Sequence, residues 1–241
     1  MKVFVVLGSG TNVGKTYIMC QMIDYLKNAY GKAPKKIFAI KPVISGFYEN
    51  PCENQESDLT HIAAALAEEA LFECLQGDVQ NSYQNLSLYR LSAPLSPNIA
   101  AKYEGVELNY EDIIAFCQQH IVKCKALQYN YLFIETAGGA FSPLTKTKTC
   151  LDLASELQKF CRPLNTEVET ILIANNYLGT ISHSVSAIKL ARPNYFLFNN
   201  NSNDNFAQEV FKNIQSFTAP QRCFYLDGTT NNEVYNNICG E

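Results

Sequence analysis

Residues 2–16 read KVFVVLGSGTNVGKT, an apolar run followed at once by a glycine-rich segment. The run at 2–7 is largely β-branched and apolar on every face, which is typical of a strand buried on both sides of a parallel sheet. Behind the glycines, residues 17–30 carry apolar side chains at helical spacing. The segment therefore predicts a central strand, a glycine-rich loop and a helix, in that order.

The glycine-rich segment has the chemistry of a phosphate-binding loop. Backbone N–H groups converge on a phosphate chain where glycines keep side chains out of the way. In such a loop Lys15 would reach the β- and γ-phosphates of a nucleotide, and the Thr16 hydroxyl would be a ligand for Mg²⁺. The spacing is that of a variant, because Ser9 stands where the pattern GxxxxGK[ST] has glycine, and Gly8 and Gly14 enclose five residues. A chance glycine turn is the alternative, but the flanking strand and helix favour phosphate binding.

Short apolar runs recur along the chain and alternate with stretches of helical periodicity. Further strands are predicted at residues 36–40, 131–135, 170–174, 195–198 and 223–226, and helices at 58–66, 110–127, 151–160, 182–190 and 205–214. This alternation favours an α/β fold with a mostly parallel central sheet and helices on both faces. We expect a single P-loop NTPase-like domain over residues 1–241.

Two segments do not follow this alternation. Pro94 and Pro97 interrupt the pattern, so residues 83–108 are expected to form an extended excursion. Residues 228–241 are rich in asparagine and are expected to form a polar C-terminal tail.

Composition narrows the class of partner. Of the 241 residues, 47% are hydrophobic and 17% charged, and the formal net charge is −4. There is no basic footprint for nucleic acid or an anionic membrane and no stretch of membrane-spanning length, so small molecules are the expected partners. The nine cysteines are odd in number and form no CxxC, and the three histidines form no HxxxH pair. A cytoplasmic location with free thiols is therefore expected, rather than a disulfide framework or a structural zinc site.

Three charged residues lie at the boundaries of predicted strands and helices, where they are candidates for the same site as the glycine-rich loop. Glu135 ends a strand and is followed by Gly138 and Gly139, and a carboxylate at that edge of the sheet lies where Mg²⁺ must be held. Lys41 ends the second strand, where it would stabilise charge on a transferred phosphoryl group. For both residues a solvated strand end is the alternative. Asp58 is either a helix cap or another Mg²⁺ carboxylate, and its spacing leaves both open.

Together these segments resemble the dethiobiotin synthetase family over most of the first 200 residues. Residues 8–16 resemble the family loop GTDTxVGKT, including its extra residue. Five further stretches resemble family motifs in the same order: KPVISG at 41–46 (KPVxSG), SD at 57–58, PLSP at 94–97 (PxSP), ETAGG at 135–139 (EGAGG) and LGTISH at 178–183 (LGTINH). Only the loop is shared widely among P-loop proteins, so these five make the resemblance specific.

The resemblance implies an ATP- and Mg²⁺-dependent carbon–nitrogen ligase acting on 7,8-diaminononanoate and CO₂ or bicarbonate. In the implied reaction the diamine forms a carbamate, the γ-phosphate of ATP activates it as a carbamic-phosphoric anhydride, and ring closure gives the cyclic urea of biotin synthesis. It also implies a homodimer with the active site at the interface.

The resemblance further implies a role for each matched residue. Nucleotide binding falls to Thr11, Asn12, Val13, Gly14, Lys15, Thr16, Tyr17, Asp58, Glu135, Gly138 and Asn199, of which Asn199 would read adenine. The implied Mg²⁺ ligands are Thr16, Asp58 and Glu135, and the implied catalytic residues are Lys15 and Lys41. Substrate binding falls to Ser45, Gly138, Leu178, Gly179 and Thr180, the last three gripping the substrate carboxylate from the partner subunit.

The chain also departs from the family pattern. Gly10 stands where the family has aspartate, which removes a carboxylate near the metal, and Thr136 replaces a glycine in a loop where unusual backbone angles are expected. Tyr177 stands where relatives commonly carry a basic residue. Asn200 competes with Asn199 as the adenine reader, and residues 219–228 lack the family's loop over the base. The resemblance therefore leaves base selectivity open.

A nucleotide-switched regulator or a partitioning ATPase is the alternative function on the same fold. Partitioning ATPases place a second lysine early in the glycine loop, and residues 8–12 contain none; the NKxD motif of GTPase switches is also absent. A third interpretation, motivated by Gly10 and Thr136, is a protein that binds nucleotide without turnover.

Overall fold

Six parallel strands form the central sheet of this computed structural model, which describes residues 1–29, 35–48, 57–66, 82–200, 206–218, 222–228 and 231–240. The strands are β1 (Lys2–Gly8), β2 (Ile37–Ile40), β5 (Tyr131–Glu135), β6 (Glu167–Asn175), β7 (Tyr195–Asn199) and β8 (Cys223–Leu226). Their order is β2-β5-β1-β6-β7-β8. The strand that carries the glycine-rich loop therefore lies inside the sheet, between β5 and β6, as its apolar sequence predicted.

Helices flank this sheet in three packed groups. The described helices are α1 (Lys15–Ala29), α2 (Asp58–Ala65), α3 (Ser82–Leu86), α4 (Pro97–Glu104), α5 (Tyr110–Ala126), α6 (Cys150–Cys161), α7 (Thr180–Ala191), α8 (Ala207–Thr218) and α9 (Asn231–Cys239). Helix α1 packs against α2 and α9, whereas α5 packs against α6 and α7 against α8. Within the described ranges, no helix is long and apolar enough to cross a membrane.

The parallel register sets where the strand ends meet. Val6 of β1 pairs with Glu135 of β5, and Ile40 of β2 pairs with Ile134. Lys41, which follows Ile40, is thereby brought beside Glu135. Because the carboxyl ends of parallel strands share one edge of a sheet, the glycine-rich loop, Lys41 and Glu135 lie together.

Helix α2 starts at Asp58, but its N-terminal cap is the residue before. The Ser57 hydroxyl accepts a hydrogen bond from the Thr60 backbone N–H at 3.2 Å. Capping by serine satisfies one of the N–H groups that a helix start leaves without a partner. The Asp58 carboxylate is therefore not needed as the cap of α2.

The expectation of an extended excursion over residues 83–108 is wrong. The segment contains most of α3, the strand β4 (Tyr89–Leu91) and all of α4, and β4 pairs in parallel with β3 (Val43–Ser45). Pro97 begins α4, where its missing N–H costs no helical hydrogen bond, and Gly105 ends it in the left-handed conformation. The prolines mark the start of a helix, and three-residue strands are too short to give a periodic signal.

The expectation of a polar tail over residues 228–241 is also wrong, because α9 occupies 231–239. Val234, Tyr235, Ile238 and Cys239 are buried and form an apolar stripe at helical spacing. The Tyr235 hydroxyl donates a 2.7 Å hydrogen bond to Gln21 of α1. In the sequence, the four asparagines of the helix alternate with these residues and mask the apolar pattern. Residue 205, the predicted start of the preceding helix, lies outside the described residues.

Replacing Tyr235 tests whether α9 is part of the cooperative fold. We expect Tyr235→Ala to lower the free energy of unfolding by about 3–5 kcal/mol, because a fully buried aromatic ring is lost. Tyr235→Phe should cost only about 1 kcal/mol, the net value of one hydrogen bond. Urea unfolding at pH 7 measures both. As a control, Tyr103→Ala removes a ring that is 77% exposed and should change stability by less than about 0.5 kcal/mol. Equal stabilities of Tyr235→Ala and the parent chain would contradict the docking of α9.

Candidate active site

The glycine-rich loop joins the end of β1 to the start of α1. Gly14, the last loop residue, has φ +90°, a conformation that side chains with a Cβ rarely adopt. The Ser9 N–H is bonded to the carbonyl of Ile173 in β6 at 2.8 Å. The loop is thus fixed to the sheet at one end and opens into a helix N-terminus at the other, the geometry that cradles phosphates.

A second glycine segment packs against the loop. A Cβ added to Gly8 would lie 3.1 Å from the carbonyl oxygen of Gly138, and one added to Gly139 would lie 3.3 Å from the Cα of Gly10. Gly138 has φ +71°. Close backbone approach therefore explains why the ETAGG stretch carries two glycines.

Lys41 is the centre of a buried ionic cluster. Its ammonium lies 2.6 Å from Glu135 Oε1 and also contacts Asp58 Oδ2. The Thr16 hydroxyl donates a 2.8 Å hydrogen bond to the same Glu135 oxygen. Lys41 is 5% exposed and Glu135 is 0% exposed, whereas the Asp58 carboxylate is partly open to solvent. Four residues from β2, β5, α1 and α2 thus meet at one point.

The cluster fixes the charge of its members. Burial alone would lower the pKa of Lys41, but the carboxylates of Glu135 and Asp58 outweigh it and raise that pKa. Burial alone would raise the pKa of Asp58, but the Lys41 ammonium outweighs it and lowers that pKa. For Lys15, burial and the neighbouring Lys41 charge lower the pKa. The Glu135 and Asp58 carboxylates act in the opposite direction but only partly offset this effect.

The oxygen atoms of the cluster suit a hard divalent cation. Glu135 Oε2 is buried and accepts no hydrogen bond from any described residue. The Asp58 carboxylate contacts Lys41, and the Thr16 hydroxyl donates to the other oxygen of Glu135. Carboxylate and hydroxyl oxygens are typical Mg²⁺ ligands. In the part of the chain that is described, no group of three or more His, Cys, Asp or Glu residues could hold a metal ion.

One cavity of about 610 Å³ brings most of the expected site residues together. Its lining includes the expected residues Thr11, Asn12, Val13, Gly14, Lys15, Thr16, Tyr17, Lys41, Ser45, Asp58, Glu135 and Gly138. Cys20, Asp24 and His61 also line this cavity, and the sequence pattern did not predict them as site residues. They lie on the faces of α1 and α2 that meet over the cavity, which only the packing of the two helices reveals.

The remaining expected residues lie elsewhere. Asn199 is 2% exposed, and its amide nitrogen donates to the Val13 carbonyl at 3.4 Å. Leu178 is fully exposed, and the Thr180 hydroxyl donates to the Asn175 carbonyl. Together with Gly179 these two line a separate groove of about 790 Å³. Neither Asn199 nor the segment 178–180 contributes to the cavity at the phosphate loop.

Two departures from the family pattern have a structural explanation. Thr136 is not in the left-handed region, and its hydroxyl donates to the Val6 carbonyl at 3.0 Å. The expectation of unusual backbone angles therefore holds for Gly138 and not for Thr136. The Tyr177 hydroxyl lies 3.7 Å from where a Cβ of Gly10 would be, and it is hydrogen-bonded to His183 Nδ1 at 2.8 Å. A tyrosine ring thus occupies space beside Gly10.

Comparison with known proteins identifies relatives of this site. A family model described as an AAA domain matches residues 2–219. The ATP-dependent dethiobiotin synthetase BioD of Caulobacter vibrioides is 33% identical over 192 residues, which cover 80% of this chain and 74% of that protein. The enzyme of the same name from Caulobacter sp. strain K31 is 35% identical, with 80% and 71% coverage.

Solved structures show a more distant likeness. The hydrogenase maturation factor HypB of Archaeoglobus fulgidus superposes with a TM-score of 0.52 at 10% identity, covering 100% of this chain and 89% of that one. The signal recognition particle receptor FtsY of Elizabethkingia anophelis also gives 0.52, at 12% identity, with 100% and 64% coverage. At such low identity, these likenesses show the fold alone.

The pKa of Asp58 predicts how stability depends on pH. A carboxyl group whose pKa is lower in the folded state stabilises the fold above its unfolded pKa of about 3.9 and loses that contribution as pH falls through the folded value. We therefore expect Asp58→Asn to be less stable than the parent chain at pH 7, by about 1 kcal/mol because the carboxylate is partly solvated, and the difference to shrink below about pH 4.

Urea unfolding at pH 7 and at pH 3.5 measures this difference. Asp24→Asn is the matched control, because Asp24 is an exposed carboxylate 3.9 Å from Lys27. Its effect should be small at both pH values. A deficit for Asp58→Asn that stays constant or grows toward acid pH would contradict the ionic contact with Lys41.

Proposed function

The chain belongs to the AAA-domain family and, within it, to the ATP-dependent dethiobiotin synthetases, and on this basis we propose how its residues carry out the reaction. It is an ATP-dependent carbon–nitrogen ligase of biotin synthesis. The proposed substrates are 7,8-diaminononanoate and CO₂ or bicarbonate, and the proposed product is the cyclic urea dethiobiotin. The observation that carries the proposal is the cluster of Lys41, Glu135, Asp58 and Thr16, which opens into the same cavity as the phosphate loop.

Three chemical steps follow from these substrates. One amine of the diamine forms a carbamate with CO₂ and loses a proton. A carbamate oxygen then attacks the γ-phosphorus of ATP, which gives a carbamic-phosphoric anhydride and ADP. Finally the second amine attacks the carbonyl carbon, the urea ring closes, and inorganic phosphate leaves. Ser45, which lines the cavity beside Lys41, is proposed to contact the diamine or its carbamate.

The two lysines are proposed to offset the charge of these intermediates. Lys41 stays protonated across the physiological range, since its pKa is raised by two carboxylates, so it supplies a fixed positive charge. Lys15 is buried beside it, and the Glu135 and Asp58 carboxylates only partly offset the effects of burial and of the Lys41 charge. A bound triphosphate would add negative charge beside Lys15, which would offset this cost and position the γ-phosphate. The main-chain groups of residues 11–14 and of Gly138 are proposed to cradle the phosphates.

Magnesium is proposed as the accompanying cation. Thr16, Asp58 and Glu135 would hold it, and the hard-oxygen donors and the buried unpartnered Glu135 Oε2 support this assignment. When bound, Mg²⁺ would neutralise phosphate charge and polarise the γ-phosphoryl group.

A homodimer and a cytoplasmic location are proposed as well. Leu178, Gly179 and Thr180 lie outside the chain's own phosphate-loop cavity, so a role in gripping the substrate carboxylate requires a second copy of the chain. The full exposure of Leu178 supports this arrangement. Free cysteines within the described ranges support a reducing compartment.

Product formation tests the proposed function. Incubation with Mg²⁺, ATP, bicarbonate and 7,8-diaminononanoate should give the cyclic urea, detected by mass spectrometry, together with diamine-dependent phosphate release. Omitting the diamine is the control and should abolish both. Nucleotide binding without any product at saturating substrates would instead indicate a protein that has lost turnover.

Lys41→Ala tests the proposed catalytic role. We expect kcat to fall by about 10²- to 10³-fold, the usual cost of removing one group that stabilises transition-state charge, while the Kd for ATP changes less than about fivefold. Steady-state kinetics and calorimetric titration measure the two quantities, and a thermal melt verifies folding. Lys102→Ala, at an exposed lysine of α4, is the matched control and should leave both unchanged. Lost affinity with unchanged turnover would show that Lys41 binds nucleotide rather than stabilising the reaction.

A further inference from the structure

Tyr17 is an exposed aromatic side chain at the edge of the phosphate-loop cavity. It follows Thr16 directly, lines the phosphate-loop cavity and is 52% exposed. The other large aromatic side chains of the first strand and helix are buried or partly buried. The roles described above for the ionic cluster and for the phosphate cradle do not involve this ring.

The Tyr17 hydroxyl is held in place by a network that begins in the C-terminal helix. Gln21 Nε2 donates to it at 2.7 Å. Gln21 Oε1 in turn accepts from the Tyr235 hydroxyl at 2.7 Å and from the Asn231 amide at 3.2 Å. Asn231 Oδ1 accepts from the Gly228 N–H at 3.2 Å. Both amide atoms of Gln21 are therefore committed, and this fixes the tip of an otherwise exposed ring.

The direction of a bound nucleotide makes this ring relevant. With the β- and γ-phosphates at Lys15 and Thr16, the α-phosphate and nucleoside must continue past the first turn of α1 toward the rim of the cavity. Tyr17 belongs to that first turn, lines the cavity and is half-exposed. Asn199, the expected adenine reader, is buried with its amide bonded to Val13 and does not line the cavity. In the described part of the cavity, an aromatic face is thus available to the base, whereas the Asn199 amide is not.

We infer that Tyr17, positioned by Gln21 and the C-terminal helix α9, is the stacking platform for the nucleoside of the bound triphosphate. This inference rests on the proposed function only for the triphosphate in the loop. Every nucleobase has a π-face, so stacking tolerates any base, whereas hydrogen bonds to base edges discriminate. The stack on Tyr17 should therefore contribute about equally to the binding of ATP, GTP, CTP and UTP.

Calorimetric titration of the full-length chain with ATP, GTP, CTP, UTP and inorganic tripolyphosphate, each with Mg²⁺, tests the inference. In Tyr17→Ala we expect each nucleotide to bind roughly 5- to 100-fold more weakly, as is typical for the loss of one base–aromatic stack. Tripolyphosphate, which has no nucleoside, should bind equally well to both chains. Tyr17→Phe keeps the ring and should lose less than threefold.

Two further variants separate stacking from general damage. Gln21→Ala should weaken the nucleotides less than Tyr17→Ala does and leave tripolyphosphate unchanged, since Gln21 acts by positioning the ring. Tyr103→Ala removes an exposed tyrosine of α4 and should change nothing.

Three results would overturn the inference: nucleotide affinity of Tyr17→Ala within threefold of the parent chain, an equal loss for tripolyphosphate, or a loss confined to one base. Failure of the ligase proposal is distinguishable, because it would leave this binding pattern intact while no cyclic urea forms.

Discussion

The contact of the Lys41 ammonium with the carboxylates of Glu135 and Asp58 is the interaction on which the site depends. Isolated carboxylates and ammonium groups are costly to bury, and here each compensates the others. The contact also joins three elements: the end of β2, the end of β5 and the start of α2. Because Thr16 of α1 bonds to the same Glu135, the phosphate loop is aligned with this cluster by direct hydrogen bonding.

The carboxylates of the cluster only partly compensate the positive charge of Lys15. Lys15 is buried beside Lys41, and the lowered pKa of its side chain reflects repulsion and desolvation that no carboxylate of the site fully offsets. In the proposed reaction, the phosphates would compensate the lysines and Mg²⁺ would compensate the carboxylates. Charged groups that are already in position are what electrostatic catalysis of group transfer requires.

The C-terminal helix connects this site to a part of the chain with no recognisable motif. Helix α9 packs its buried stripe on α1, and its polar residues reach Gln21, one turn beyond Tyr17. The Tyr177–His183 pair supports the opposite side of the loop, next to Gly10. The phosphate loop is therefore supported on both sides: by α9 through Gln21 on one side, and by Tyr177 beside Gly10, where the chain departs from the family pattern, on the other.

The sequence alone determined the elements and chemistry that local patterns encode. The apolar strands, the loop from Gly8 to Thr16 and the motif residues Lys41 and Glu135 could all be read there, because strand burial and phosphate binding require particular residues at fixed spacing. Only the tertiary structure decided which faces meet. In the structure, Ser57 caps α2, so that Asp58 is able to contact Lys41. Asn199 is buried, and Cys20 and His61 line the cavity. Most of these contacts join residues that are far apart in the sequence, so local patterns do not reveal them. Helix α9 was not predicted because its four buried apolar residues are interspersed with asparagines, whose preference for turns is overridden by packing.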